Sequence, residues 1–163
     1  MTPRQYAESI LRFTRSISDG FLKGWPEDKL AFQNCAADNH PLWVVGHIAC
    51  TDAWIASAVG IPGITAPESY AKLFGQGSKP SSNAADYPPY AELVALYTQN
   101  REKLLAWLDS ASDDQLTRSL KESTSGFAND VIDALLKSAW HEGWHFGQVA
   151  TLRKSLGLPP VMG

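Results

Sequence analysis

Positive charge is not concentrated anywhere in this chain. Its 163 residues hold 14 Lys and Arg against 17 Asp and Glu, a formal net charge of −3, and no basic block stands out. Phosphate backbones are bound by clustered positive charge, so a nucleic-acid partner is not expected. Cysteine is equally sparse. Two thiols, Cys35 and Cys50, make a poor disulfide framework, and a reduced, cytoplasmic protein is the expected setting. A long clean apolar run is lacking. The nearest, Leu42 to Val59, is interrupted by His47, Thr51 and Asp52, so no membrane span is expected. Met1-Thr2-Pro3-Arg4-Gln5 leads into an amphipathic pattern and not into a signal-peptide core. Strand alternation, internal repeats and a second domain are also missing. What remains is one domain over residues 1–163, 44% hydrophobic, with enough chain to bury a sizeable core.

Helical periodicity fills most of it. Thr2-Pro3 reads as an N-cap followed by a first-turn proline, and Tyr6, Ile10, Phe13, Ile17 and Phe21 then recur at helical spacing. Gly24-Trp25-Pro26 ends that pattern. Pro41 opens a second helix, with His40 as a capping or rim residue, and Gly60-Ile61-Pro62-Gly63 stops it. This helix is apolar on nearly every face and should be buried on several sides. A link from Ile61 to Pro89, rich in Pro, Gly and Ser, has room for a short helix over Pro67–Phe74. Tyr90, Leu93, Tyr97, Leu104 and Leu108 mark the third long helix. Ser112-Asp113-Asp114-Gln115 resembles a capping box for a single turn, and Asn129 or Asp130 starts a fourth helix that ends near Gly157. Four long helices predict an all-α bundle.

The chemistry lies in the histidines. His141 and His145 are four apart on the fourth helix, so both imidazoles lie on one face and aim at one point, a common way to hold a transition metal. Trp140, Trp144, Phe146 and Val149 surround them with apolar bulk, which suggests a buried helix. His47 is a lone imidazole in the most apolar helix. A satisfied core histidine is one reading of it; the third ligand for the His141–His145 pair is the preferred one. Gln148, seven residues from His141, could orient a ligand or simply pack. Cys50, one turn from His47, could complete or poison a metal site, or serve as a small core residue. His141-Glu142-Gly143-Trp144-His145 also matches the HExxH zinc-peptidase pattern. No acid and no His follows His145, so the downstream ligand of that pattern is missing and a peptidase is not expected. Glu142 sits about 100° round the helix from His141. It is expected as a carboxylate that orients a ligand or as a surface acid.

Pro41-Leu42-Trp43-Val44-Val45-Gly46-His47-Ile48-Ala49, His141-x-x-x-His145-x-Gly147-Gln148 and the closing Leu156-Gly157-Leu158-Pro159-Pro160 together resemble the DinB/YfiT-like family of proposed metalloenzymes. The resemblance covers essentially the whole chain. It implies a four-helix bundle of up-down-down-up order with a long crossover between helices 2 and 3, which the Ile61–Pro89 link fits. It implies one divalent metal on three His, falling here on His47, His141 and His145, with zinc or nickel expected first. Homodimers are frequent in the family. Some relatives are S-transferases or isomerases that use a low-molecular-weight thiol such as mycothiol, bacillithiol or glutathione, with a small-molecule substrate.

Three imidazoles leave a divalent ion with an open position, where a bound thiol would lose its proton readily. A bound water would do likewise and make a hydrolase. A thiol-dependent S-transferase or isomerase is therefore the leading expectation, since the chain offers no obvious nucleophile of its own. A metal-dependent hydrolase and a non-enzymatic binding or stress-response protein are the alternatives, and no catalytic residue is assigned.

Overall fold

The computed structural model describes residues 1–161. Its regular structure is helical, and no strand occurs among the described residues, only an isolated bridge between Ser119 and Asp130. Helix α1 (Pro3–Leu22) starts at a reciprocal capping box between Thr2 and Gln5, with Pro3 in its first turn. His40 caps α2 (Pro41–Val59): its Nδ1 accepts from the Trp43 N–H at 3.2 Å. Gly60 closes α2 in a left-handed conformation, φ 80°, which a residue without Cβ adopts freely. The link to the next long helix holds α3 (Tyr70–Phe74) and a 3-10 turn, Ala84–Asp86. Then come α4 (Tyr90–Ser110), α5 (Asp113–Thr117) with its Ser112–Gln115 capping box, and α6 (Val131–Ser155), capped by Asp130. Of the long helices, α1 packs on α6 and α4, and α2 packs on α4 and α6. This arrangement is compatible with a four-helix bundle.

The core consists of two apolar clusters. One gathers Leu11, Ile55, Val59, Leu104, Leu108 and Leu135; the other gathers Val45, Ile48, Leu93, Tyr97, Phe146 and Val149. Between them, along each long helix, falls one charged residue: Arg15 on α1, Asp52 on α2, Arg101 on α4 and Glu142 on α6. Arg101 grips Asp52 with two bonds, Nε to Oδ2 at 3.1 Å and Nη2 to Oδ1 at 2.9 Å. Its Nη1 lies 2.8 Å from Glu142 Oε2. Arg15 Nε donates to Glu142 Oε1 at 2.8 Å, and its Nη2 lies 3.4 Å from Asp52 Oδ2. Tyr97 adds its hydroxyl to Glu142 Oε1 at 3.0 Å, under the Arg15 guanidinium. Asp52, Arg101 and Glu142 are almost fully buried. Burial alone would raise the Glu142 pKa, but Arg101 and Arg15 outweigh it and hold the carboxyl below its usual range.

Two expectations change. The stripe Tyr6, Ile10, Phe13 is helical as predicted, yet all three residues are exposed, and α1 buries Ala7, Leu11 and Ser18 instead. Helical period alone does not say which stripe meets the core when two are available. The polar interruptions of α2 also do not disqualify it as a span by length and hydropathy; its burial against α3, α4 and α6 is what makes it a core helix here.

Removing one member of the charge layer leaves a buried charge without its partner. Asp52→Ala or Arg101→Ala should cost about 3–5 kcal/mol in urea unfolding. A loss below about 1 kcal/mol, the scale of an exposed pair, would show that the layer is solvated.

Candidate metal centre

His47 on α2 and His141 and His145 on α6 meet across the helix pair, and their candidate ligand atoms all lie within 4.8 Å of one another. His47 Nε2 is 3.2 Å from His141 Nε2, and His145 Nε2 is 3.2 Å from the same atom. Three ring nitrogens thus converge. The far side of each ring tells which of them carry protons. His47 Nδ1 lies 2.6 Å from the Phe74 carbonyl, an acceptor, so Nδ1 carries the hydrogen and Nε2 keeps a lone pair. His145 Nδ1 lies 3.2 Å from Gln148 Oε1, which also accepts from Asn39 Nδ2 at 2.9 Å, and the same tautomer follows. Lone pairs from both rings therefore face His141 Nε2. One proton there can satisfy one of them and no more. A shared cation satisfies all three. Nitrogens 3.2 Å apart and each about 2.0–2.1 Å from a common ion subtend about 100° at it, near the tetrahedral angle. The donor set fits a divalent metal.

Local sequence explains the placement. Gly46 precedes His47, and a Cβ there would run into the Phe74 ring. Its absence lets α3 seat against α2 and brings the Phe74 carbonyl to His47. Trp43, one turn earlier, stacks on the His47 ring at 4.6 Å and 11°, while its indole N–H donates to the Leu73 carbonyl at 3.0 Å. Trp144 flanks His145 with ring centroids 4.8 Å apart.

The surroundings disfavour charged imidazoles. Burial lowers the His47 pKa, with the Phe74 carbonyl opposing. Burial and then His47 push His141 down to about 4, although Asp52 and Glu142 pull the other way. Burial, His47 and His141 push His145 down to about 3. Neutral rings are what a metal needs. His141 Nδ1 is buried with no hydrogen-bond partner among the described residues.

The other candidates lie elsewhere. His40 is fully buried as the α2 cap, its Nε2 2.9 Å from the Ser81 carbonyl. Cys50 is half-buried, its thiol pushed up to about 11 by burial, and it is outside the histidine cluster. Gln148 is at His145. Glu142 is no surface acid: both its oxygens face Arg15 and Arg101, and it bonds to no imidazole among the described residues. The sequence reading missed the Phe74 carbonyl, Asn39, the buried Arg101 and the partly buried Arg15. For Arg101 a signal existed, since it continues the Tyr97–Leu104–Leu108 spacing of core positions.

A family model described as the DinB superfamily matches residues 10–149. The chain belongs to the DinB superfamily. No curated protein matches it.

Gln148→Leu keeps the packing volume but removes the acceptor on His145. It should weaken zinc binding by about 10–100-fold in a chelator competition, against a much larger loss for His47→Ala. Equal affinity for Gln148→Leu and wild type would contradict the tautomer assignment.

The depressed imidazole pKa values also set a pH window for the metal-free protein. Below 6.5 the unfolded chain takes up protons that folded His141 and His145 refuse until about pH 4 and about pH 3. Stability is full above 6.5 and is lost as pH falls through that interval. The urea midpoint of chelated protein should drop steadily from pH 7 to pH 4, and His145→Leu should flatten the slope. Parallel slopes in the two proteins would refute it.

Proposed function

We propose that this protein is a metal-dependent enzyme of the DinB superfamily that transfers or isomerises through a low-molecular-weight thiol, acting on a small-molecule substrate. In this reading the four long helices run up-down-down-up, with the Ile61–Pro89 link as the crossover. Three contacts support that order. Arg153, near the end of α6, donates to the Phe21 and Lys23 carbonyls at the end of α1. Arg4, at the start of α1, reaches the Asp109 carbonyl at the end of α4. Asn100 of α4 donates to the Ala49 carbonyl, abreast of the Arg101–Asp52 pair.

The observation that carries the function is the convergence of three Nε2 atoms with two of the rings held by acceptors behind them. A divalent ion held there, zinc or nickel by its ligands, would keep an open position and lower the pKa of a thiol entering it. The chain's own groups divide the remaining work. Phe74 and Gln148 hold two rings in the tautomer that turns lone pairs inward. Trp43 and Trp144 wall the imidazoles with apolar surface and limit water. No side chain at the centre is itself a ready nucleophile: Cys50 is held as a thiol, and Glu142 is tied to two arginines and unsuited to act as a base. The nucleophile therefore comes with a cosubstrate, and a thiol needs no general base once its proton is easily lost. The free thiols of Cys35 and Cys50 fit a reducing compartment such as the cytoplasm.

Metal-loaded protein should conjugate glutathione, mycothiol or bacillithiol to electrophiles such as chlorodinitrobenzene faster than chelated protein. His141→Ala should lose that gain, and Glu142 should matter only through stability. Turnover that needs metal but no thiol would replace this reading with a hydrolase.

A further inference from the structure

Two buried polar atoms of α6 have no hydrogen-bond partner among the described residues: Ser138 Oγ and His141 Nδ1. Their residues are three apart, which puts them on one side of the helix with Cβ atoms about 5–6 Å apart. Helical side chains lean toward the N-terminus, so the His141 ring lies over the turn that carries Ser138. Ser138 is only 2% exposed. Its hydroxyl is also withheld from its ordinary use. A serine or threonine inside a helix commonly bonds back to the carbonyl four residues earlier. Thr51 does so to His47, Thr151 to Gly147 and Ser155 to Thr151. Ser138 does not, and an unpaired buried hydroxyl is destabilising where alanine would cost nothing. The buried acids that act on the His141 ring are not free to serve it either. Both oxygens of Asp52 and both of Glu142 are held by Arg15 and Arg101.

His141 differs from its two companions in what its ring must do. His47 and His145 are each backed by an atom that can only accept, the Phe74 carbonyl and Gln148 Oε1, so their hydrogen stays on Nδ1 whatever lies in front. Without a metal, their two lone pairs face His141 Nε2, which is 3.2 Å from each. That nitrogen must then carry the hydrogen, which leaves the lone pair on Nδ1. With a metal, Nε2 must turn a lone pair to the ion and the hydrogen must sit on Nδ1. An acceptor behind His141 would favour the second arrangement alone. A hydroxyl serves both, because it donates and accepts.

We propose that Ser138 is the positioning residue behind His141, and that its hydroxyl reverses direction as the metal binds. It donates to Nδ1 in the metal-free protein and accepts from Nδ1 in the loaded one. Contact is made directly, after a turn about the serine χ1, or through one bridging water. The ring is neutral before and after: Nδ1 takes a proton by exchange with water and Nε2 releases one. In the loaded protein the Ser138 hydrogen turns to the Ala134 carbonyl, four residues back. Two rings of fixed tautomer and one that switches let the same three nitrogens close on a hydrogen when empty and on an ion when filled. The inference rests on the three-histidine metal centre and not on thiol chemistry.

Ring-nitrogen NMR of the full chain, labelled with ¹⁵N at histidine, reads the tautomers without reference to turnover. In chelated protein His47 and His145 should carry hydrogen on Nδ1 and His141 on Nε2. With zinc all three should carry it on Nδ1. Zinc affinity by chelator competition tests the hydroxyl. Ser138→Ala should bind zinc about 10–100-fold more weakly than wild type, with helical circular dichroism retained. Ser138→Thr and Ser138→Val have the same shape and differ in the hydroxyl, so any overpacking falls on both alike. Thr should bind zinc about tenfold more tightly than Val, the lower end of the effect of an outer partner. One tautomer of His141 in both states overturns the proposal, as does equal affinity in Ser138→Ala and wild type or in the Thr and Val variants. Zinc binding that ignores His141→Ala removes the metal centre itself and the switch with it. Binding lost in His141→Ala but unchanged in Ser138→Ala keeps the centre and overturns the switch alone.

Discussion

A buried layer of two arginines and two carboxylates, one from each long helix, governs the rest of this structure. Such a layer adds little net stability compared with apolar packing, because each ion must be desolvated. Its effect is on specificity. Arg101 can meet both Asp52 and Glu142 only if α2, α4 and α6 stand at one mutual height and rotation. Arg15 imposes the same condition on α1. Apolar side chains tolerate sliding, since one leucine packs much like another; a paired charge does not, since a slip leaves an ion unsatisfied.

The rotation of α6 follows from that constraint, and three separate surfaces follow from the rotation. With Glu142 pointing into the layer, steps of about 100° per residue carry His141 and His145 toward α2. The same steps carry Gly143 toward α1 and Trp140 and Trp144 outward. The HExxH-like string thus uses its acid for architecture. The glutamate that would serve a peptidase as base is the residue that holds the histidines in place.

The metal centre depends equally on the long link between α2 and α4. Phe74 offers its carbonyl to His47 because its ring lies on Gly46. His40 and Trp43 fasten the same link through the Ser81 and Leu73 carbonyls. Three ring N–H groups, from the His40 cap and from Trp43 and His47 of α2, therefore anchor a segment that is otherwise mostly loop. The order of that segment and the orientation of a ligand are one property.

The sequence by itself determined the helices and their ends, because caps and breakers act locally: Thr2, His40, Gly60, Ser112 and Asp130 sit where side-chain chemistry alone starts or stops a helix. It also determined that His141 and His145 share a face, since the helical repeat leaves no other choice, and the lone imidazole in the most apolar helix, together with motif resemblance, joined His47 to them. Tertiary structure decided which faces were inside. Tyr6, Ile10 and Phe13 look like a core stripe and are exposed, whereas Arg101 and Glu142 look like surface residues and are buried. Periodicity gives the angle between residues but not its origin, and the origin is set by partners far away in sequence. The same holds for the Phe74 carbonyl. Every residue has one, and only the docking of α3 over Gly46 makes this one the acceptor behind a metal ligand.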